Sequence, residues 1–337
     1  MEQKILDCTL RDGGLVNRFY FTDDFVRGLY QANLQAGIDY MEFGYKASEA
    51  LFDRREFGKW KFCREEDLRA VVGDNKTSMK ISVMADVGRT DYSKDILEKK
   101  DSVIDMVRIA AYAEQMGEAM EMVSCCKERG YETSVNIMAI SNNTDEEIDR
   151  ALETVSKSRA DAVYVVDSYG SFYPEQIKAL TKRYIRLAGD GRKGGVPAHN
   201  NPPLAFSNTI EAMRCGAALL DVTVNGMGRG AGNCGSEQLL GYIGSSEKYN
   251  ELPVIEFIEK TSCYQNQLAN PRDSGLVYFI KALVKEKCLN ERHANLQLNH
   301  LVKEDLSYYL TKAMDNLSQY RDRYELQVLK EFFHVNL

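Results

Sequence analysis

The sequence predicts an α/β fold: a closed (β/α)8 TIM barrel with an appended C-terminal helical region. Three observations predict it. Short apolar, β-branched segments recur at intervals of about 25 to 40 residues, separated by stretches of helical periodicity. Eight such segments precede Asn225, and that count favours a closed barrel over an open sheet. Polar and charged residues stand at the C-terminal ends of most of these segments, where such a barrel carries its function.

The strands are predicted at residues 4–11, 40–44, 80–85, 106–110, 132–139, 162–166, 195–199 and 219–224, the third and fourth being the least strongly marked. In the first, an apolar run ends in Arg11-Asp12 and is followed by Gly13-Gly14. It reads as a buried strand that delivers a charged pair to the barrel rim. Among the helices, residues 23–36 follow Thr22, a suitable N-cap, and residues 114–129 end at Gly130. Residues 144–158 open with Thr144 and Glu147 at capping-box spacing. Residues 174–188 begin with Pro174, suited to a first helical turn. After about Tyr249 the pattern turns helical throughout, at residues 253–269, 273–288, 303–318 and 321–333. The domain division expected is a barrel over 1–248 and a helical region over 249–337.

The chain has 337 residues, a formal net charge of -7 and a pI near 5.4, which argues against nucleic acid or an acidic membrane as a partner. Its eight cysteines include no C-x-x-C pair, so reduced thiols in a cytoplasmic protein are expected. The N-terminus shows no signal peptide, and no apolar run approaches the roughly 18 residues that span a membrane.

The strand ends carry the chemistry. They present Arg11-Asp12, Glu42, Arg108, Asp167-Ser168, His199-Asn200-Asn201 and a glycine-rich loop from Asn225 to Asn233. Packing alone does not call for polar groups at so many ends, although any one of them could be a structural ion pair. Asp12 and His199 are candidate ligands for magnesium or manganese, as carboxylate and imidazole with water completing the shell. Arg11 offers a planar fork for an oxyanion. The loop at residues 226–231 formally fits G-x-G-x-x-G/A. It follows the last strand rather than opening a doubly wound unit, so it is not read as a dinucleotide site. Its backbone N–H groups suit a carboxylate or phosphate.

Taken together, Thr9-Leu10-Arg11-Asp12-Gly13, Glu42, Asp167-Ser168-x-Gly170, His199-Asn200-Asn201 and Gly228-x-Gly230-Ala231-Gly232-Asn233 resemble the DRE-TIM metallolyase superfamily (HMG-CoA lyase-like). The resemblance is nearest to its 4-hydroxy-2-oxovalerate aldolase branch. It runs from about residue 4 to 245, with an echo at Ser274-Gly275-Leu276-Val277-Tyr278. It implies a divalent metal, Mn2+ or Mg2+, that chelates a small keto acid or its enolate. Asp12, His199 and Asn233 are the implied ligands, and Arg11 the group that stabilises the enolate oxygen. Glu42 and Asp167 are implied to line or support the site. Two positions depart from the family pattern. Pro197 stands where the first histidine of a His-x-His pair is expected, which leaves a ligand to be replaced by Asn201 or Asn233. Leu15 stands where the aldolase branch has a catalytic histidine, so Tyr45, Tyr169, Tyr278 or His293 would have to move the proton.

The function expected is an aldolase-type carbon–carbon lyase acting on a 4-hydroxy-2-keto acid. Two alternatives accompany it: a Claisen-type condensation of an acyl-CoA with a keto acid, and a catalytically altered member that binds a small acid or partners another enzyme. An acylating aldehyde dehydrogenase partner is implied by the aldolase resemblance, and a homodimer is compatible with the apolar helical tail.

Overall fold

The computed structural model describes residues 2–268, apart from 169, 171, 190, 201, 202 and 245–247. Tyr169, Asn201, Tyr278, His293 and the three helices expected after residue 272 lie outside the described residues.

Eight parallel strands close into a barrel in sequence order: β1 (Lys4–Asp7), β2 (Tyr40–Tyr45), β3 (Lys80–Asp86), β4 (Met106–Ala111), β5 (Glu132–Ile137), β6 (Ala162–Val165), β7 (Lys193–Pro197) and β8 (Leu219–Val222). Pairing of β1 with both β2 and β8 closes the ring. The strand period of two sorts side chains between two cores. Leu6, Tyr40, Met106, Ala162, Tyr164 and Leu219 pack together inside the barrel. Ile5, Met41, Phe43, Val107, Val163 and Leu220 belong to the larger core shared with the helices.

The helices among the described residues are α1 (Thr9–Asn17), α2 (Asp23–Ala36), α3 (Glu65–Val72), α4 (Met116–Glu128), α5 (Asp145–Ser156), α6 (Pro174–Ala188), α7 (Ala205–Arg214), α8 (Ser236–Ile243) and α9 (Leu252–Leu268). The expected caps are in place. Phe25 N donates to Thr22 Oγ1, and Thr144 and Glu147 form a reciprocal capping box. α9 packs on α2, where the Phe257 and Phe25 rings are 5.2 Å apart. The chain through Ala269 is one compact unit.

The first strand ends earlier than the sequence suggested. Asp7 accepts hydrogen bonds from Thr9 N at 3.2 Å and Thr9 Oγ1 at 2.7 Å, and this turn folds the chain out of the sheet. Arg11 and Asp12 therefore stand on α1, not on a strand end. The two glycines let other segments approach that helix: a Cβ on Gly14 would run into the Phe19 ring, and one on Gly13 would lie 2.9 Å from Met227 Sδ. β7 also stops early, at Pro197, and leaves His199 beyond it in an isolated bridge to Asn233.

The opposite end of the barrel is tied by Glu132. It accepts hydrogen bonds from Lys80 Nζ at 2.7 Å, Lys193 Nζ at 3.0 Å and Tyr40 Oη at 3.0 Å. Burial opposes its charge, but the hydrogen bonds from Lys80 and Lys193 outweigh it and hold the carboxyl at about 2. A depressed carboxylate pKa stabilises the fold above the unfolded value and loses that stabilisation as pH falls through the folded one. Acid unfolding is thus expected to draw on Glu132 between about pH 4.5 and pH 2. The loss is about 2 kcal/mol after allowance for solvent screening. Chemical denaturation across that range checks it. Glu132→Gln should flatten the slope, and an unchanged slope would remove Glu132 from the account.

Candidate active site

The first turn of α1 places Arg11 and Asp12, both buried, at the barrel mouth. Arg11 Nε donates to Glu42 Oε2 at 2.8 Å, and its Nη1 donates to Asp12 Oδ1 at 2.7 Å. Its Nη2 has no hydrogen-bond partner among the described residues. The chain of charges continues into the barrel. Arg108 Nη1 donates to the same Glu42 oxygen at 2.9 Å, and its Nη2 donates to Asp221 Oδ2 at 2.6 Å. The Arg108 guanidinium also lies 4.3 Å from the centre of the Tyr164 ring. Arg108, which the sequence placed near a strand end, is thus fully buried and props up Glu42 from below.

The loops after β7 and β8 bring the second half of the site. Asn233 Nδ2 donates to Asp12 Oδ2. Its backbone is held by its own N–H on Gly226 O at 2.9 Å and by Asn200 Nδ2 on its carbonyl at 2.8 Å. Asn225 adopts a left-handed φ of 54° at the turn out of β8. Gly228 lets Asn233 and Asp12 meet, since a Cβ there would lie 2.0 Å from Asn233 Nδ2 and 2.5 Å from Asp12 Oδ2. Burial opposes the Asp12 charge, but Arg11 foremost keeps the carboxyl below its usual value. His199 is held below its usual value, chiefly by burial, and is therefore neutral at pH 7.

These elements enclose a cavity of about 380 Å3. Of the residues singled out from sequence, Arg11, Asp12 and His199 line it, and Leu15 and Pro197 form apolar parts of its wall. Glu42 lies beneath Arg11, and Asn233 stands behind Asp12. Asp167 takes a different place: it accepts Phe172 N at 2.8 Å and organises the loop after β6, while its neighbour Ser168 lines the cavity. Tyr45 lines the cavity too. Burial pushes its hydroxyl well above the usual range, so it serves as a donor rather than a base. Sequence reasoning missed Asp86, Arg89, Asn136 and Arg229. Asp86 follows the rule that found the others, because it closes β3, but the expected strand stopped at Ala85, one residue short of it.

The donor set suits a hard divalent cation. It consists of the Asp12 carboxylate, the neutral His199 imidazole and the Asn233 side-chain amide. His199 Nδ1 is buried with no hydrogen-bond partner among the described residues, which is the state expected of a nitrogen kept for a ligand. Among the described residues no three His, Cys, Asp or Glu side chains converge on one point. An ion held here would keep water or substrate oxygens in its shell, as magnesium and manganese sites do.

A (β/α)8 barrel with an arginine–carboxylate pair, an imidazole and an amide at its mouth defines an enzyme scaffold of the lyase and aldolase class. The HMGL-like family model matches residues 2–246, and the chain belongs to that family, for which a divalent metal is expected. It is 31% identical over 243 residues to the oxaloacetate decarboxylase of Mycobacterium tuberculosis, covering 71% of this chain and 69% of that protein. It is 30% identical over 248 residues to a 4-hydroxy-2-oxovalerate aldolase of Geobacillus genomosp. 3, covering 71% and 70%. Among solved structures, the N-terminal domain of a Bacteroides vulgatus protein described as an aldolase superposes with a TM-score of 0.70 at 28% identity, over 78% of this chain and 87% of that one. The HMG-CoA lyase of Bacillus subtilis shares the fold, with a TM-score of 0.63 at 12% identity, over 82% and 97%. No helix among the described residues is long and apolar enough to cross a membrane.

Proposed function

We propose that the protein is a divalent-metal-dependent carbon–carbon lyase that cleaves a 4-hydroxy-2-keto acid into a pyruvate-like enolate and an aldehyde. One observation carries this reading. Arg11 is clamped by Glu42 and Asp12, with Nη2 unpartnered among the described residues, in a cavity it shares with Asp12 and His199, and Asn233 stands behind Asp12. Asp12, His199 and Asn233 would hold the metal, which when bound supplies Lewis-acid polarisation of the keto oxygen. Arg11 shares the negative charge that develops on that oxygen as the carbon–carbon bond breaks. Glu42, fixed by Arg108, keeps the guanidinium from turning, so the donor is already aimed when charge appears. Asn233 keeps the Asp12 carboxylate oriented. Leu15 and Pro197 give the cavity an apolar wall that strengthens these electrostatic contacts. An acylating aldehyde dehydrogenase is the partner this reading calls for, because it would consume the reactive aldehyde.

The protein incubated with manganese and a panel of 4-hydroxy-2-keto acids is expected to release a 2-keto acid and an aldehyde. A chelator should stop the release and added manganese restore it. Folded protein that turns over no member of the panel would sink the proposal. A second reading, decarboxylation of an oxaloacetate-type acid, is favoured by the apolar Leu15 and by the decarboxylase relative. Loss of carbon dioxide yields the same enolate with no hydroxyl proton to remove.

A further inference from the structure

Cleavage of a 4-hydroxy-2-keto acid needs a group to take the hydroxyl proton, and the cavity offers one outside the Arg11–Asp12 cluster. Asp86 closes β3 at the barrel mouth, is 9% exposed and lines the cavity with Arg11, Asp12 and His199. Its Oδ1 is buried with no hydrogen-bond partner among the described residues. Its Oδ2 is 3.8 Å from Arg89 Nη1, too far for a hydrogen bond. Arg89 N and Thr90 N donate to the Asp86 carbonyl at 3.0 and 3.1 Å, so the main chain is fixed while the carboxylate has no hydrogen-bond partner among the described residues. An open buried carboxylate oxygen costs stability, and such groups gather where chemistry uses them.

We propose that Asp86 is the catalytic residue that accepts the proton of the substrate's 4-hydroxyl, an assignment that rests on the lyase reading above. A bond forms between a carboxylate oxygen of Asp86 and the hydroxyl hydrogen. The freed O–H electron pair becomes the second bond of the aldehyde carbonyl. The bond between C3 and C4 breaks, and its electrons pass into the enolate whose oxygen faces Arg11. The same proton, returned from Asp86 to C3, gives the neutral-methyl keto acid and restores the carboxylate. The groups that face Asp86 are Arg89 on its own loop, Lys61 from the short turn Lys59–Lys61, Arg11 of α1, and Glu42 and Tyr45 of β2. Burial raises the Asp86 pKa against the pull of Lys61, Arg89 and Arg11, which makes the carboxylate a stronger base than a solvated one.

Two substrates separate the proton step from the enolate step. The full chain with manganese is assayed for cleavage of a 4-hydroxy-2-keto acid and for decarboxylation of oxaloacetate, with the metal-only rate subtracted. Asp86→Asn is expected to lower kcat for cleavage by about 10²- to 10³-fold and to leave enzymatic decarboxylation within about threefold. Asp86→Glu keeps a carboxylate at a shifted position. It carries the test if Asp86→Asn fails to fold, with cleavage slowed and decarboxylation retained. Equal losses on both substrates, or no loss on cleavage, would overturn the assignment. Wild-type protein that decarboxylates without cleaving would overturn it as well. Wild-type protein inactive on both would overturn the lyase reading itself, and the assignment with it.

Discussion

Arg11→Lys is expected to lower kcat for keto-acid cleavage by about 10²- to 10³-fold, with a smaller change in KM. The charge survives this substitution, so the loss tests geometry. Arg11 spans two carboxylates at once, with Nε on Glu42 and Nη1 on Asp12 at 2.8 and 2.7 Å. A lysine ammonium is a point charge on a flexible stem and cannot hold both contacts in one plane while facing an oxyanion. Because the guanidinium's task falls where charge develops, its removal should weigh on the transition state more than on substrate binding. Steady-state kinetics with manganese, beside a circular-dichroism melt to show a retained fold, is the measurement. Activity within about threefold of wild type would show that Arg11 is no oxyanion donor.

The largest effect on stability is expected from Arg108→Met. Arg108 is fully buried and is the shared donor to Glu42 and Asp221. Burial alone disfavours its charge, but Asp221 and then Glu42 reverse the balance, and the guanidinium stays protonated. Taking away one partner of a buried pair strands the others. The cost is about 3–5 kcal/mol, or roughly 10 °C in Tm for a barrel of this size. Asp221 would be stranded here, and Glu42 would be left with Arg11 alone. The barrel is therefore expected to recover much of the loss when Glu42→Gln and Asp221→Asn are added, since neutral side chains need no counter-charge. Thermal unfolding of the single and triple variants decides the matter. A triple variant no more stable than Arg108→Met would show that lost packing against Tyr164, rather than stranded charge, dominates. Arg108→Met should also loosen Glu42 and so lower the activity that depends on Arg11.

The elements that were readable along the chain are those set by near neighbours. The Thr22 cap, the Thr144–Glu147 box and the opening of α6 at Pro174 depend on residues within a turn of one another, and each stands where expected. The recurrence of short apolar, β-branched segments carried the eight-strand barrel, with ends shifted by a few residues. α1 was the clear miss. Thr9-Leu10-Arg11 continues an apolar run, and Gly13-Gly14 is a poor helix sequence by intrinsic preference. The Asp7–Thr9 turn and the demand that Phe19 pack against Gly14 override that preference.

By itself the sequence determined the barrel and the family and picked out Arg11, Asp12 and His199 as candidate residues of the site, because short apolar segments, capping and short motifs are written in adjacent positions. Only the tertiary structure decided what holds them. Glu42 lies 31 positions from Arg11, Arg108 lies 66 from Glu42, and Asp221 lies 113 from Arg108. The closed barrel brings these groups into one buried chain of charge, and the end of β3 brings Asp86 to the same cavity. Pairing of charges and loss of solvent depend on distance through space, and distance along the chain carries almost none of that information.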